Sequence, residues 1–213
     1  MMKKVRETLA GRIGILDLYS LSAREKAGLV FDTDLDFSLA TLQARQRKLL
    51  KNDVIQVFHH IWEGGMPQVQ GVDEELKRLS KTPKLYFCDT GLCVYLSMWL
   101  TPDTLRNGAA SGHYYENYVV MELVKNYAYA KSKVNLTYFR DSNAKEIDVF
   151  VEENNVIHPL EIKKSAAPDR REVKKYSIID KASLKRGNGG IICMCEEPIP
   201  IDADNCFIPS NLI

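Results

Sequence analysis

Between Glu146 and Lys163 the sequence reads Glu-Ile-Asp-Val-Phe-Val-Glu-Glu-Asn-Asn-Val-Ile-His-Pro-Leu-Glu-Ile-Lys, two apolar runs separated by Asn154-Asn155. Asparagine tolerates the positive φ that tight hairpins demand, so the pattern predicts two antiparallel strands joined by a two-residue turn. In that register Asp148 opposes Glu161 and Glu146 opposes Lys163. A period of two puts these four side chains on one sheet face and Val149, Val151, Leu160 and Ile162 on the other, as core. Two opposed carboxylates repel unless a cation neutralises them. Mg²⁺, or Mn²⁺ in its place, would do so, with Asp148 and Glu161 as ligands, because such ions take hard oxygen donors from one or two carboxylates plus water and phosphate. Lys163 could then stand beside an attacking water or steady charge on a phosphoryl group. The set suits metal-assisted phosphodiester hydrolysis. The plainer alternative is a cross-strand ion pair between Glu146 and Lys163, with Asp148 solvated at an edge. Glu-x-Lys alone carries little, since it recurs at Glu75-Leu76-Lys77 and Glu172-Val173-Lys174 in charged, helix-like surroundings.

The elements that must position these residues can be read around them. Arg12–Leu18 is strand-like, and Ser22-Ala23-Arg24-Glu25 is a capping box that starts a short helix. Residues 38–50 and 53–62 read as helices, the second capped by Asn52 or Asp53 and stopped by Gly64-Gly65-Met66-Pro67. Lys84–Cys88 reads as a strand, and Asp89 caps a helix over Gly91–Leu100. A longer helix spans His113 to about Ala130, with Tyr115, Val119, Leu123 and Tyr127 on one stripe. Strands are predicted over Val134–Arg140, Glu146–Glu152 and Val156–Lys163. A charged helix from Pro168-Asp169 to about Ser183 follows, then strands at Gly189–Cys195 and Cys206–Ile208. The order predicts an α/β (α+β) fold, a mixed central sheet flanked by helices, with a small mainly helical N-terminal part.

Several stretches together resemble a known family: Phe87-Cys88-Asp89-Thr90-Gly91-Leu92, Tyr115-Glu116-Asn117-Tyr118-Val119-Val120-Met121-Glu122-Leu123, Tyr138-Phe139-Arg140, Glu146-Ile147-Asp148 and Leu160-Glu161-Ile162-Lys163. They are similar to the C-terminal domain of unknown function attached to many bacterial and archaeal AAA-type ATPases. The resemblance spans residues 82–213 and implies a PD-(D/E)XK nuclease-like, restriction-endonuclease-like fold. It sets Asp148, Glu161 and Lys163 on the sheet motif and Glu116, from the preceding helix, as a further acid. Residues 1–70 resemble the end of the ATPase module, through Glu7–Leu18 and Ile61–Pro67, with 71–81 as a linker. The chain departs from those ATPases in having no G-x-x-x-x-G-K-[ST] loop and no Walker B strand. Without a phosphate cradle, ATP binding and ATPase activity have no physical basis here. The chain therefore reads as a truncated relative of an ATP-binding protein.

Composition narrows the partners. Lys plus Arg is 29 against 28 Asp plus Glu, so bulk charge does not attract nucleic acid. Any contact with DNA or RNA must use the local basic run around Lys164, Arg170, Arg171 and Lys174, which could equally be a solvated helix face. Five cysteines without paired spacing argue against a disulfide framework. No apolar run reaches the roughly 18 residues a bilayer span needs. The N-terminus lacks the apolar stretch of a signal peptide, which points to the cytoplasm and to no membrane partner. Three functions compete: a metal-dependent nuclease, a non-catalytic module binding nucleic acid or protein (or itself, through an exposed N-terminal part), and a degenerate fragment.

Overall fold

A computed structural model describes residues 19, 22–26, 28, 35–47, 54–63, 84–130, 134–140, 145–181 and 185–213. The strand expected at Arg12–Leu18, the cap at Asn52 or Asp53, the Gly64–Pro67 stop and the 71–81 linker lie outside these residues.

The local signals act as physical chemistry dictates. Ser22 and Glu25 form the reciprocal capping box that opens α1 (Ala23–Lys26): the Ser22 amide donates to Glu25 Oε2 at 2.8 Å and the Glu25 amide to Ser22 Oγ at 3.2 Å. The next helices are α2 (Leu39–Gln46), capped by Ser38, and α3 (Val54–Glu63). Asp89 caps α4 (Thr90–Leu96) through a 2.7 Å bond from the Leu92 amide. This helix ends four residues before the predicted Leu100, where Met98 takes a φ of 60°. Thr101-Pro102, read as a stop, instead opens α5 (Pro102–Asn107), with Thr101 in a capping box and proline in the first turn, where its missing N–H costs nothing. α6 (Ser111–Tyr129) buries the whole expected stripe of Tyr115, Val119, Leu123 and Tyr127.

The sheet is mixed and seven-stranded: β1 (Asn135–Arg140), β2 (Glu146–Glu153), β3 (Val156–Lys163), β4 (Lys185–Arg186), β5 (Gly189–Cys193), β6 (Ile199–Pro200) and β7 (Asn205–Pro209). Its order is β1-β2-β3-β5-β7-β6, with β4 beside β3. β1, β2 and β3 are antiparallel neighbours, whereas β3, β5 and β7 run parallel. Between β3 and β4 the chain crosses through a 3-10 helix (Arg170–Tyr176) and α7 (Ser177–Lys181), where a single α-helix was expected. Asn154 and Asn155 both hold positive φ, 51° and 62°, and the hairpin register pairs Val149 with Leu160 and Val151 with His158, as the turn predicts. The expected strand at Lys84–Cys88 is absent: residues 84–87 are irregular.

Val149, Val151, Leu160 and Ile162 lie together in one core under α6, and Leu35, Phe37, Leu42, Val57, Phe58 and Ile61 join the same cluster. α2 and α3 therefore pack onto the sheet's core through these residues. Among the described residues, the exposed large apolar side chains fall mainly further on, at Leu85, Tyr95, Leu96, Met98 and Leu100. A second cluster of Ile147, Val173, Tyr176, Ile191, Cys193 and Phe207 joins the sheet to the 3-10 helix. Ile147 stands two residues from Val149 yet belongs to the other cluster. The register of β2 against β1 shifts by one residue between Thr137 and Phe139, and such a bulge re-aims side chains. Strict alternation therefore does not run through 146–149. Among the described residues no helix is long and apolar enough to cross a membrane, and none of the five cysteines forms a disulfide.

Candidate functional site

β3 carries Glu161 into the sheet's interior, between β2 and the parallel partner β5, where Glu161 pairs with Ile191. Its side chain is 1 % exposed. One carboxylate oxygen, Oε2, takes the ammoniums of Lys175 at 2.9 Å and Lys163 at 3.2 Å. The other, Oε1, is buried and accepts no hydrogen bond from the described residues. Burial drives the Glu161 carboxyl up from its ordinary 4.5 to about 7, and the negative charge of Asp148 adds to the rise, against the opposing pull of Lys175 and Lys163. Lys175, from the 3-10 helix, also donates to the Glu146 carbonyl at 3.0 Å and pairs with Glu172 at 2.9 Å. Burial works to lower its pKa, but the bonds to Glu161 and Glu172 outweigh it and hold the ammonium above its ordinary range.

Asp148 stands where the β2–β3 ladder opens. The paired register ends at Val149 and Leu160, and beyond it the Ile162 amide donates to Asp148 Oδ2 at 2.9 Å. A side-chain carboxylate thus takes a ladder bond. Its other oxygen lies 3.6 Å from the Lys84 ammonium. That ammonium also meets Glu116 Oε1 at 3.0 Å and, closest of all, Glu146 Oε1. Arg140 reaches Glu146 from outside at 3.8 Å. The Tyr86 hydroxyl donates to Glu116 Oε1 at 2.8 Å, and burial, then this bond, raises its pKa. Asn117 clamps the same segment by its backbone: the Phe87 amide donates to Asn117 Oδ1 at 2.7 Å, and Asn117 Nδ2 donates to the Phe87 carbonyl at 2.9 Å.

The predicted residues are therefore gathered in two sets. Glu116 and Asp148 meet around Lys84; Glu161 and Lys163 meet beside Lys175. Asp148 and Glu161 are linked by their mutual repulsion. The expected pairing of Glu146 with Lys163 is not made, because Lys84 and Arg140 hold Glu146 and Glu161 holds Lys163. Lys84 and Tyr86 escaped the sequence reading, and Lys175 entered it only within the basic run beside Lys174. The period-two spacing of Lys84 and Tyr86 on an extended run was the only signal for the first two. Of the four residues assigned to nucleic acid, Lys164 is spoken for: its ammonium donates to the Arg106 carbonyl at 2.8 Å and to Ser111 Oγ at 2.6 Å, and lies over the Phe58 ring. Arg170, Arg171 and Lys174 are exposed, although Arg171 pairs with Asp169 and Arg170 stacks over Phe207. His113 is exposed on the first turn of α6.

Among the described residues, no group of three or more His, Cys, Asp or Glu side chains is arranged to hold a metal ion. Of the two expected metal ligands, Asp148 has both oxygens engaged, by the Ile162 amide and the Lys84 ammonium, and Glu161 Oε1 is the oxygen that no described residue engages. No curated protein and no solved structure matches the chain. A family model does match, from the start of α6 rather than from residue 82: over residues 111–213 the chain is similar to the family described as Domain of unknown function (DUF4143).

Proposed function

We propose that the open end of the β2–β3 hairpin is a nuclease-like site for metal-dependent phosphodiester hydrolysis. The observation that carries this reading is Glu161, a carboxylate buried beside a second acid with one oxygen that no described residue engages. The charge itself is met at Oε2 by Lys175 and Lys163, but a buried polar atom such as Oε1 is normally completed by a partner, and a ligand would supply one. Asp148 and Glu161 would hold Mg²⁺ or Mn²⁺. Such an ion, when bound, polarises a phosphoryl oxygen and lowers the pKa of a bound water. Lys175 fixes the orientation of the Glu161 carboxylate from the inner side. Lys163, 36 % exposed, carries its charge from Glu161 out towards solvent, where a phosphate would arrive. Glu116 is the auxiliary acid, and Arg170, Arg171 and Lys174 would follow a DNA or RNA backbone.

The test is incubation of the full chain with Mg²⁺ or Mn²⁺ and mixed DNA and RNA, beside Lys163→Ala. Chelator-sensitive cleavage that falls by about a hundredfold or more in the variant is expected. Cleavage absent, or equal in the two proteins, would sink the reading.

A second reading has its own support. The Lys84 ammonium already neutralises part of the acidic corner, as a non-catalytic module binding nucleic acid or a protein partner would need. Metal-independent retention of nucleic acid without cleavage would favour it. A degenerate fragment of an ATP-binding protein would show neither.

A further inference from the structure

β5 ends on a pair of thiols that phosphodiester hydrolysis leaves unused. Cys193 is its last residue, the chain bends at Met194, and Cys195 follows. Both belong with the second core cluster: Cys193 is fully buried in it, and Cys195 packs against it with part of its surface open to solvent. Residues two apart on an extended strand point the same way with Cα atoms about 6.7 Å apart, close to the upper end of the roughly 4.4–6.8 Å that a disulfide spans. A bend between them shortens that separation. The thiols also act on each other. The Cys195 thiol, helped by the Cys195 and Ile208 amides, holds the Cys193 thiol below its ordinary range against the effect of burial, while the Cys195 thiol is driven up by the same contact and then by burial. Cys206 stands apart: it belongs to the core under α6, its thiol faces the Phe37 carbonyl at 3.9 Å, and burial pushes it up to about 12. The pair adjoins the candidate site, since Cys193 lies opposite Lys163 in the parallel ladder and the Met194 amide donates to the Ser165 carbonyl at 3.0 Å.

We propose that Cys193 and Cys195 form a redox-active dithiol, which small-molecule disulfides oxidise to an internal disulfide bond. Cys195, the accessible member, reacts first. Its thiolate sulfur attacks one sulfur of the small disulfide, a mixed S–S bond forms, and the original S–S bond breaks. The departing thiolate takes up, through water, the proton that Cys195 gave up. The Cys193 thiolate then attacks the Cys195 sulfur; the internal S–S bond forms as the mixed one breaks, and a second small thiol leaves with the proton of Cys193. Two electrons and two protons thus pass from the cysteines to the disulfide, which is reduced to two thiols. The amides that favour a Cys193 thiolate serve this second step, so the mixed disulfide does not accumulate. This chemistry needs neither a metal nor a nucleic acid.

The reduced full chain, incubated at neutral pH with 2-hydroxyethyl disulfide, quenched in acid and alkylated in denaturant, tests it. Cleavage after Arg186 and Glu196 releases residues 187–196, which hold these two cysteines and no other. From the wild type this peptide should emerge unalkylated and lighter by two hydrogen masses. Cyanogen bromide, which cuts after Met194, should leave its halves joined until a reductant is added. Cys193→Ser should instead retain the hydroxyethylthio group on Cys195, and Cys195→Ser should leave the buried Cys193 unmodified. Recovery of both cysteines alkylated in the wild type, after the exposed Cys88 has taken up the probe, would overturn the proposal. A wild type that stops at the mixed disulfide on Cys195 would overturn it equally, because the two thiols would then not act as a pair. Should a serine variant fail to fold by circular dichroism, alanine at the same position replaces it, and the wild-type peptide decides by itself whether the internal bond forms.

Discussion

At Glu161 two lysines and one aspartate pull a single buried carboxyl in opposite directions, and burial decides the outcome. Its pKa rises from 4.5 to about 7, so the folded state keeps a proton that the unfolded chain gives up. The sign follows: stability conferred by that proton is complete below about pH 4.5 and is lost as pH rises through 7. Each pKa unit is about 1.4 kcal/mol, so the wild type should lose roughly 3 kcal/mol more than Glu161→Gln between pH 4 and pH 8. Urea denaturation at a series of pH values measures this, and parallel curves for the two proteins would contradict it. Asp148, Glu161 and Lys163 were legible because acids on otherwise apolar strands stand out. Lys84 and Tyr86 were not, because their partners Glu116 and Glu146 lie 30 residues or more away along the chain.

The hairpin and the bulge show how far local sequence reaches at the scale of elements. Asn154-Asn155 dictated a turn, the turn dictated a register, and the register put Val149, Val151, Leu160 and Ile162 in one core. Both turn residues hold a left-handed conformation that costs most L-residues about 1–2 kcal/mol. Asn155→Val should therefore lower stability by at least about 1 kcal/mol, and Asn155→Gly should leave it unchanged or raise it; chemical denaturation separates the two. The bulge facing Tyr138 carries no such signature. No glycine or proline marks it, and it arises from pairing with β1 rather than from β2 alone. Reading β2 as an unbroken alternation consequently misassigned Glu146 to Lys163. The 84–87 segment failed for a related reason: its apolar residues suit a strand, but strand formation needs a free ladder edge, and here Asn117 satisfies the Phe87 backbone instead.

Across the whole molecule, the fold class was legible from the order of elements, whereas the closure of its ends was not. Arg45 of α2 donates to Asn126 of α6 and to the Leu212 carbonyl, both at 3.2 Å, and the Tyr127 hydroxyl donates to the Leu35 carbonyl at 2.9 Å. These bonds span 81 to 167 positions of sequence, and no local pattern announces them. Phe58 shows what the closure contributes: it is fully buried in the sheet's core and lies beneath the Lys164 ammonium that ties β3 to α6. Phe58→Ala should cost about 3–5 kcal/mol and should loosen β3 as well as α3. Amide exchange resolved by residue checks this; faster exchange confined to α3 would show that the helix is only an appendage. The same core has a further consequence. The stretch that carries family likeness begins at Ser111, yet Leu35, Phe37, Leu42, Val57, Phe58, Ile61, Val94 and Leu105 fill the cluster on which its longest helix rests. A fragment cut at Ser111 would therefore carry the whole of the family likeness and still lack about half the side chains against which its longest helix is packed.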